Sequence, residues 1–335
     1  MDKKNLSIKE IAEISGVSVA TVSRVINQNG RFSKETEKKV LEVIKNNNYK
    51  TNLVAKSLRM KQTNTIGVIV PDIKNEFFAS IVSEIEEYFF EEENYTVFIC
   101  NSNSEKEKEL DYLASLDSKG VDGLIYISGY DDTLHTSVRR NIPVVCIDRK
   151  PKENNEVAII ESDNLDGGYQ ATSLLIEKGC KNIVILKSEK DTSTNLDRFE
   201  GYRKAIEESS NHLNEELIIS LKKTHFNYAK DAINKLIEKN IKFDGIFAIN
   251  DWLALGALYA LKDNNFKIPD EVKIVGFDNV SISKYSYPNI TTVNQNKKLM
   301  GRTAAKTLLD LINNKQTKNK IHTKLPIDIV YRSTT

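Results

Sequence analysis

Two aspartates, two arginines, three phenylalanines and three side-chain amides fall where strand-like runs of this chain end, and together they have the chemistry to hold a polyol. Asn75, Phe77 and Phe78 follow the apolar run 65–70, and Asp148 and Arg149 follow Val144-Val145-Cys146-Ile147. Asp197-Arg198-Phe199 opens a helix-like stretch after the run 183–187, and Phe226 follows a later extended segment. Asn250 closes Ile246-Phe247-Ala248-Ile249, Asp278 closes Ile274-Val275-Gly276-Phe277, and Gln295 lies just past Thr291-Thr292-Val293. Aromatic rings pack on the C–H faces of a sugar ring, while carboxylates and guanidinium forks bridge adjacent hydroxyls in pairs. Such a site is costly to leave half-satisfied, which makes it selective among sugars that differ by one hydroxyl. Singly, each residue has a plainer reading. An aspartate at a strand end commonly caps the next helix, the role expected of Asp251, and Phe77 and Phe78 are also natural core residues. The joint placement is what points to a ligand.

Positioning these residues requires a layered α/β body. From residue 63 onward, strand-like runs at 65–70, 96–100, 123–127, 144–147, 157–160, 183–187, 245–249 and 273–277 alternate with helix-like stretches. The helices are expected at 77–92, 105–118, 166–178, 198–209, 227–239, 251–264 and 297–313. This is the pattern of right-handed βαβ units in parallel sheets, which bind ligands outside the carboxyl ends of their strands. No GxSxG elbow, Walker loop, GxGxxG after a strand or histidine-bearing acid/base cluster supports an enzyme reading. Gly167-Gly168 is expected to allow close helix packing rather than to cradle phosphate.

The first sixty residues carry different chemistry. Ser7 and Glu10 match a capping box ahead of Ile8, Ile11, Ala12 and Ile14, and Gly16-Val17-Ser18 turns the chain. A second helix follows with Val22, Val25 and Ile26 inward, and a third places Val40, Leu41, Val43 and Ile44 inward. Two short helices joined by a Gly-containing turn form a helix-turn-helix, whose second helix fits a DNA major groove. Val19 and Ala20 are expected to approach base edges and Arg24 to fork onto a guanine, a pairing that discriminates by about 1–3 kcal/mol. Ser18, Thr21, Ser23 and Asn27 carry short polar groups suited to phosphates, and Tyr49 joins the DNA-facing set. Asn52 then caps a short stretch in which Leu58 stands beside Arg59, the pairing a minor-groove wedge requires; an ordinary linker is the plainer alternative.

Charge supports that division. Residues 1–62 hold 13 Lys or Arg against 6 Asp or Glu, a net of +7, so a total of +1 leaves the body at −6. A basic head on a mildly acidic body suits a head that meets phosphates. The 335 residues suffice for two or three domains with real cores. Three cysteines without a CxxC pair and four scattered histidines favour a reducing compartment over disulfides or zinc. With no apolar stretch near 18 residues, neither secretion nor membrane spanning is expected, and the cytoplasm is the expected location.

The stretches Val17-Ser18-Val19-Ala20-Thr21-Val22-Ser23-Arg24-Val25-Ile26-Asn27 and Asn52-Leu53-Val54-Ala55-Lys56-Ser57-Leu58, followed by Ile66-Gly67-Val68-Ile69-Val70-Pro71-Asp72, resemble the lactose/galactose repressor (LacI/GalR) family along essentially the whole chain. The resemblance implies a helix-turn-helix domain at 1–50, a hinge helix or linker at 51–62, and a sugar-binding and dimerisation domain at 63–335. That last domain would be a periplasmic-binding-protein-like body of two doubly wound parallel-sheet subdomains, 63–162 with 294–323 and 163–293 with 324–335. It also implies a homodimer on a pseudo-palindromic double-stranded operator, with Leu58 inserted in the central step and Arg59 in the minor groove. The set Asn75, Phe77, Phe78, Asp148, Arg149, Arg198, Phe226, Asn250, Asp278 and Gln295 resembles the sugar site of ribose-binding proteins and ribose operon repressors. The expectation is therefore a repressor released by D-ribose, without a cofactor, metal, membrane or enzymatic activity. The alternatives are a regulator answering to fructose, sucrose or another pentose, or a catabolite-control regulator with a phosphoprotein corepressor. The sequence departs from the family pattern at Val19 and Ala20, apolar where some members carry polar base readers.

Overall fold

The computed structural model describes residues 6–47, 49, 62–93, 95–127, 142–148, 157–313 and 321–335. The chain divides into two compact units, Met1–Thr63 and Asn64–Thr335.

Among its described residues the first unit has three helices, α1 (Ile8–Ser15), α2 (Val19–Ile26) and α3 (Lys34–Asn46). Ser7 and Glu10 form the reciprocal capping box, and Gly16 ends α1 in the left-handed region at φ 66°. Ser18 and Ser33 cap α2 and α3 through the amides of Thr21 and Thr36. Ile11, Ala12, Val22, Val25 and Val40 form the core, with Ile8, Ile26, Val43, Ile44 and Tyr49 packed around it. Ile14 and Leu41, expected inside, are 52% and 47% exposed. Ser15 takes the inner place instead, its hydroxyl donating to the carbonyls of Ile11 and Ala12. The reason is geometric: helices this short meet along a seam about one residue wide per turn.

The second unit contains two six-stranded sheets. In the first lobe the strand order is β2 (Thr96–Asn101), β1 (Thr65–Val70), β3 (Gly123–Ile127), β4 (Val144–Ile147), β5 (Ala158–Ser162) and β11 (His322–Leu325), all parallel. In the second lobe it is β7 (Ile218–Leu221), β6 (Ile183–Ser188), β8 (Gly245–Ala248), β9 (Lys273–Phe277), β10 (Thr291–Gln295) and β12 (Ile327–Val330), antiparallel only between β10 and β12. Helices cover both faces, so β3 and β5 are buried throughout; β3 reads as an apolar run, while β5 ends in buried Glu161 and Ser162. On the first sheet, α4 (Glu76–Glu93) and α11 (Lys297–Ile312) pack Ile81, Ile85, Met300, Ala304 and Leu308 over Ile66, Val68 and Ile125. On its other face, α5 (Lys106–Lys119) packs Leu113 and Leu116 over Leu124 and Tyr126. The second sheet is wrapped by α6 (Asn164–Glu177), α7 (Ser193–Glu207), α8 (Phe226–Glu238) and α9 (Asp251–Asp263) in one continuous core, and a short α10 (Ser281–Tyr285) follows β9.

Several bounds differ from expectation. Thr192 caps α7 through the amide of Asn195, so this helix begins at Ser193 and not at Arg198. Its polar opening, Ser-Thr-Asn, conceals a first turn whose amides are capped rather than packed. β10 continues to Gln295 and β11 to Leu325, past the boundaries expected at 294 and 324. Both are half-polar strands whose ends no apolar run announces; β12, interrupted by Asp328, was not foreseen, and β7 was expected only as an extended segment ahead of Phe226. Among the described residues no helix is long and apolar enough to cross a membrane.

Candidate functional site

A cleft of about 580 Å³ opens at the carboxyl ends of both sheets. The first lobe lines it with Asn75, Phe77, Phe78 and Asp148, and the second with Arg198, Phe226, Asn250 and Asp278. Eight of the ten residues singled out by position therefore meet on one surface. Arg149 lies outside the described residues. Gln295 is wholly buried and is not part of the wall; it stands behind Asp278 and donates to its Oδ1 at 2.7 Å. Gln295 is the last residue of β10, still paired with Ile327 of β12, and its side chain turns into the interior rather than the cleft.

Asp148 follows β4 with φ 57° and Asp278 follows β9 with φ 98°. Aspartate tolerates this left-handed backbone better than most residues, and it turns both carboxylates inward instead of along the strand. Burial pushes the Asp148 carboxyl up to about 6, opposed by Arg198 and by the amide of Asn164. Burial also raises Asp278, against the pull of Arg198, Gln295 and Lys297. Arg198 stands between them. Its Nε donates to Asn164 Oδ1 at 2.8 Å and its Nη1 to the carbonyl of Ile249 at 2.7 Å. Its Nη1 is 3.7 Å from Asp278 Oδ1, and the guanidinium lies 3.7 Å above the Phe277 ring centroid.

Glycine makes this placement possible. A Cβ on Gly201 would sit 2.1 Å from the carbonyl oxygen of Leu165, and one on Gly168 would sit 2.2 Å from that of Arg198. α6 and α7 thus touch backbone to backbone, which carries Arg198, on the second turn of α7, into the cleft beneath Asn164. Gly167-Gly168 serves helix packing here, Gly167 against the Phe277 ring.

The aromatic wall is Phe77 edge-on to Phe78 at 5.4 Å, with Phe226 opening α8 edge-on to Tyr259 at 5.3 Å. Phe77 lines the cleft and also packs in the first-lobe core. Asn75 starts α4 by accepting from the amide of Phe77. Asn250 caps α9, accepting from Leu253 N at 2.8 Å and donating to the carbonyl of Thr224 at 3.3 Å. The cap expected of Asp251 thus belongs to Asn250. Asp251 instead lies wholly buried, accepting from Val280 N at 2.8 Å and Thr292 Oγ1 at 2.6 Å, and burial beside Asp278 pushes its carboxyl up to about 8.

Among the residues that escaped the sequence reading are Asn164, buried behind the wall, and Glu109, on it. Asn164 joins Asp148 to Arg198, its Nδ2 reaching Asp148 Oδ1 at 3.3 Å. It follows β5 directly, so the strand-end rule that found Asp148 applies to it as well. Glu109, buried on α5 and bonded by the Tyr126 hydroxyl, lines the cleft but sits in a charged run, Lys106-Glu107-Lys108-Glu109, that reads as solvated surface. Buried carboxylates outnumber the buried guanidinium. The arrangement favours a neutral ligand rich in hydroxyl donors over an anion.

On the head, Val19, Ala20, Arg24 and Asn27 are exposed along one side of α2, while Thr21 and Ser23 are half-buried beside them. The Ser18 hydroxyl caps α2 and pairs with Thr21 Oγ1, and Asn27 Nδ2 donates to the carbonyl of Ser23. Tyr49 packs against the head core, and burial raises its phenol. Leu58, Arg59 and the rest of the expected hinge lie outside the described residues.

Known proteins are similar across the full chain. The family description "Bacterial regulatory proteins, lacI family" matches residues 7–52, and "Periplasmic binding proteins and sugar binding domain of LacI family" matches residues 63–332. The chain is 37% identical over 313 residues to the HTH-type transcriptional regulator RegA of Clostridium saccharobutylicum, covering 92% of this chain and 93% of that one. It is 33% identical over 333 residues to the repressor PurR of Histophilus somni, covering 98% of both. It is 35% identical over 329 residues to the ribose operon repressor of Halalkalibacterium halodurans, covering 98% of this chain and 97% of that one. Among solved structures, the lac repressor dimer bound to operator and an anti-inducer matches with TM-score 0.88, 25% identity and 99% of each chain. A LacI family regulator from Enterococcus faecium with bound ribose matches with TM-score 0.71, 29% identity, 81% of this chain and 98% of that one.

Proposed function

This chain belongs to the LacI family of DNA-binding transcriptional repressors, and from that premise we propose that it answers to a small sugar, D-ribose, which fills the cleft and releases an operator. The observation that carries the reading is the pairing of Asp148 and Asp278 around Arg198 beside the Phe77–Phe78 wall. Two carboxylates accept vicinal hydroxyls in pairs, the guanidinium donates to a ring oxygen or third hydroxyl, and the phenyl rings cover the C–H face. The similarity to a ribose operon repressor and to a ribose-bound regulator supports the same ligand.

In this reading the protein works in the cytoplasm as a homodimer that presents two heads to the half-sites of a pseudo-palindromic operator. Val19, Ala20 and Arg24 read bases, while Ser18, Thr21, Ser23, Asn27 and Tyr49 hold the backbone. Hinge residues Leu58 and Arg59 enter the minor groove. Sugar bound between the lobes, with Arg149 completing the site, favours a state in which the hinges lose their packing. It can shift that balance only by its differential affinity for the two states.

Titration of full-length protein with operator DNA, with and without ribose, tests the proposal. Ribose is expected to weaken binding; an unchanged affinity with ribose, together with weakening by another sugar, would retire the ribose assignment. One observation favours that second reading. The cleft of about 580 Å³ has more room than a single pentose ring fills. A phosphoprotein corepressor is separated by Asp278→Asn, which abolishes a sugar response but leaves a protein-driven one intact.

A further inference from the structure

Residues 278–281 follow β9 of the second lobe, yet both lobes hold them. Asp278 and Asn279 take left-handed backbone at φ 98° and 48°. Non-glycine residues rarely take this backbone, which persists where the surroundings over-determine it. Here Lys297, on α11, donates from Nζ to the carbonyls of Asp278 at 2.6 Å and Asn279 at 3.0 Å. Arg332 Nη2 donates to Asn279 Oδ1 at 2.6 Å, and Asp251 accepts from Val280 N at 2.8 Å. From the first lobe come two further contacts. Val280, 3% exposed, packs in the same core as Phe77 and Ile81. Glu76, in the first turn of α4, accepts from Ser281 N with both oxygens at 3.0 Å and from Ser281 Oγ at 2.7 Å.

We infer that Glu76 is a positioning residue for the effector: by clamping Ser281 to the first lobe, it keeps the Asp278 carboxylate facing Asn75, Phe77 and Phe78 across the cleft. Its neighbours in sequence, Asn75 and Phe77, line the cleft, whereas Glu76 points to a hydroxyl and an amide 205 positions away. A glutamate serving only the helix dipole or solubility has no need of those two donors. Asp278 thereby belongs to the second lobe by strand and to the first by anchorage, so its distance from the Phe77–Phe78 wall depends on the Glu76–Ser281 contact.

The inference rests on the sugar reading, and the test separates the two. Ribose affinity by calorimetry and operator affinity without ribose are measured on the full chain carrying Glu76→Ala, Glu76→Gln, Ser281→Ala, and Glu76→Ala with Ser281→Ala. Loss of charge-assisted hydrogen bonds predicts roughly tenfold or greater weakening of ribose binding in Glu76→Ala, with operator affinity kept. Glu76→Gln, which still accepts through one oxygen, loses less. The double substitution is no worse than Glu76→Ala, because both remove one interaction. Wild-type ribose affinity in Glu76→Ala, or effects that add in full, overturns the positioning role. A wild-type chain that binds no sugar overturns the reading beneath it and this inference with it. Should Glu76→Ala fail to fold, Glu76→Gln and Ser281→Ala carry the same comparison.

Discussion

The proton on Asp148 decides how this cleft meets a hydroxyl. Its carboxyl, pushed up to about 6 by burial, is protonated below that pH and then has one fewer lone-pair face to offer. Sugar affinity is therefore expected to fall as pH drops from 7 to 5, and calorimetry across that range checks it; Asp148→Asn should be weak throughout and insensitive to pH. On the head, Arg24→Ala should relax specificity at one base pair per half-site by about 1–3 kcal/mol, read by binding to operators varied one pair at a time. Asp148 and Asp278 were legible from the sequence because each directly follows an apolar run, where a loop must begin, whereas Arg198 was singled out with a helix start that the structure moves back to Ser193. Gln295 and Asp251 were misplaced because neighbouring strand ends look alike in one dimension. In the fold Gln295 turns to Asp278, and Asp251 to Val280 and Thr292.

Helix contacts set where those side chains arrive. The backbone contact of α6 with α7 through Gly168 and Gly201 brings Arg198 to Asn164. A methyl 2.1 Å from the Leu165 carbonyl cannot be absorbed by a flexible neighbour. Gly201→Ala should destabilise the body by about 1–3 kcal/mol and displace Arg198, weakening sugar binding, as melting and calorimetry would record. The strand and helix alternation was readable because the buried parallel strands are continuous apolar runs. The first turn of α7 and the strands β7 and β12 were not, since that turn is held by a cap and the two strands, four residues each at the sheet edges, are too short to show a period.

Buried charge also marks the stability of the body as a whole. Asp251, pushed up to about 8, holds its proton more tightly when folded than unfolded, so stability is greatest below the ordinary carboxylate range and declines as pH rises from about 4 to 8. One such group contributes at most about 1.4 kcal/mol per pH unit. Thermal melts at stepped pH should show this decline, and Asp251→Asn should flatten it. Coupling between cleft and operator obeys reciprocity: if sugar weakens operator binding by some factor, saturating operator must weaken sugar binding by the same factor. Paired titrations check it, and Leu58→Ala should weaken operator binding with little change in sugar affinity. Collapse of sugar affinity with DNA binding intact would move the hinge elsewhere.

Local rules settled which parts this protein has. Capping serines, a glycine turn and apolar periodicity specify the three-helix head, and β-branched runs with strand-end polar residues specify a parallel-sheet body and the makings of a cleft, its division into two lobes being what the family resemblance implied. These features depend on neighbours a few positions away and are therefore written in order along the chain. The partnerships across hundreds of positions were settled only on folding. Among them are Arg198 under Asn164, Gln295 behind Asp278, and Glu76 on Ser281. Each depends on where two separately formed layers come to rest, and close packing of the layers, which no local pattern encodes, fixes that distance.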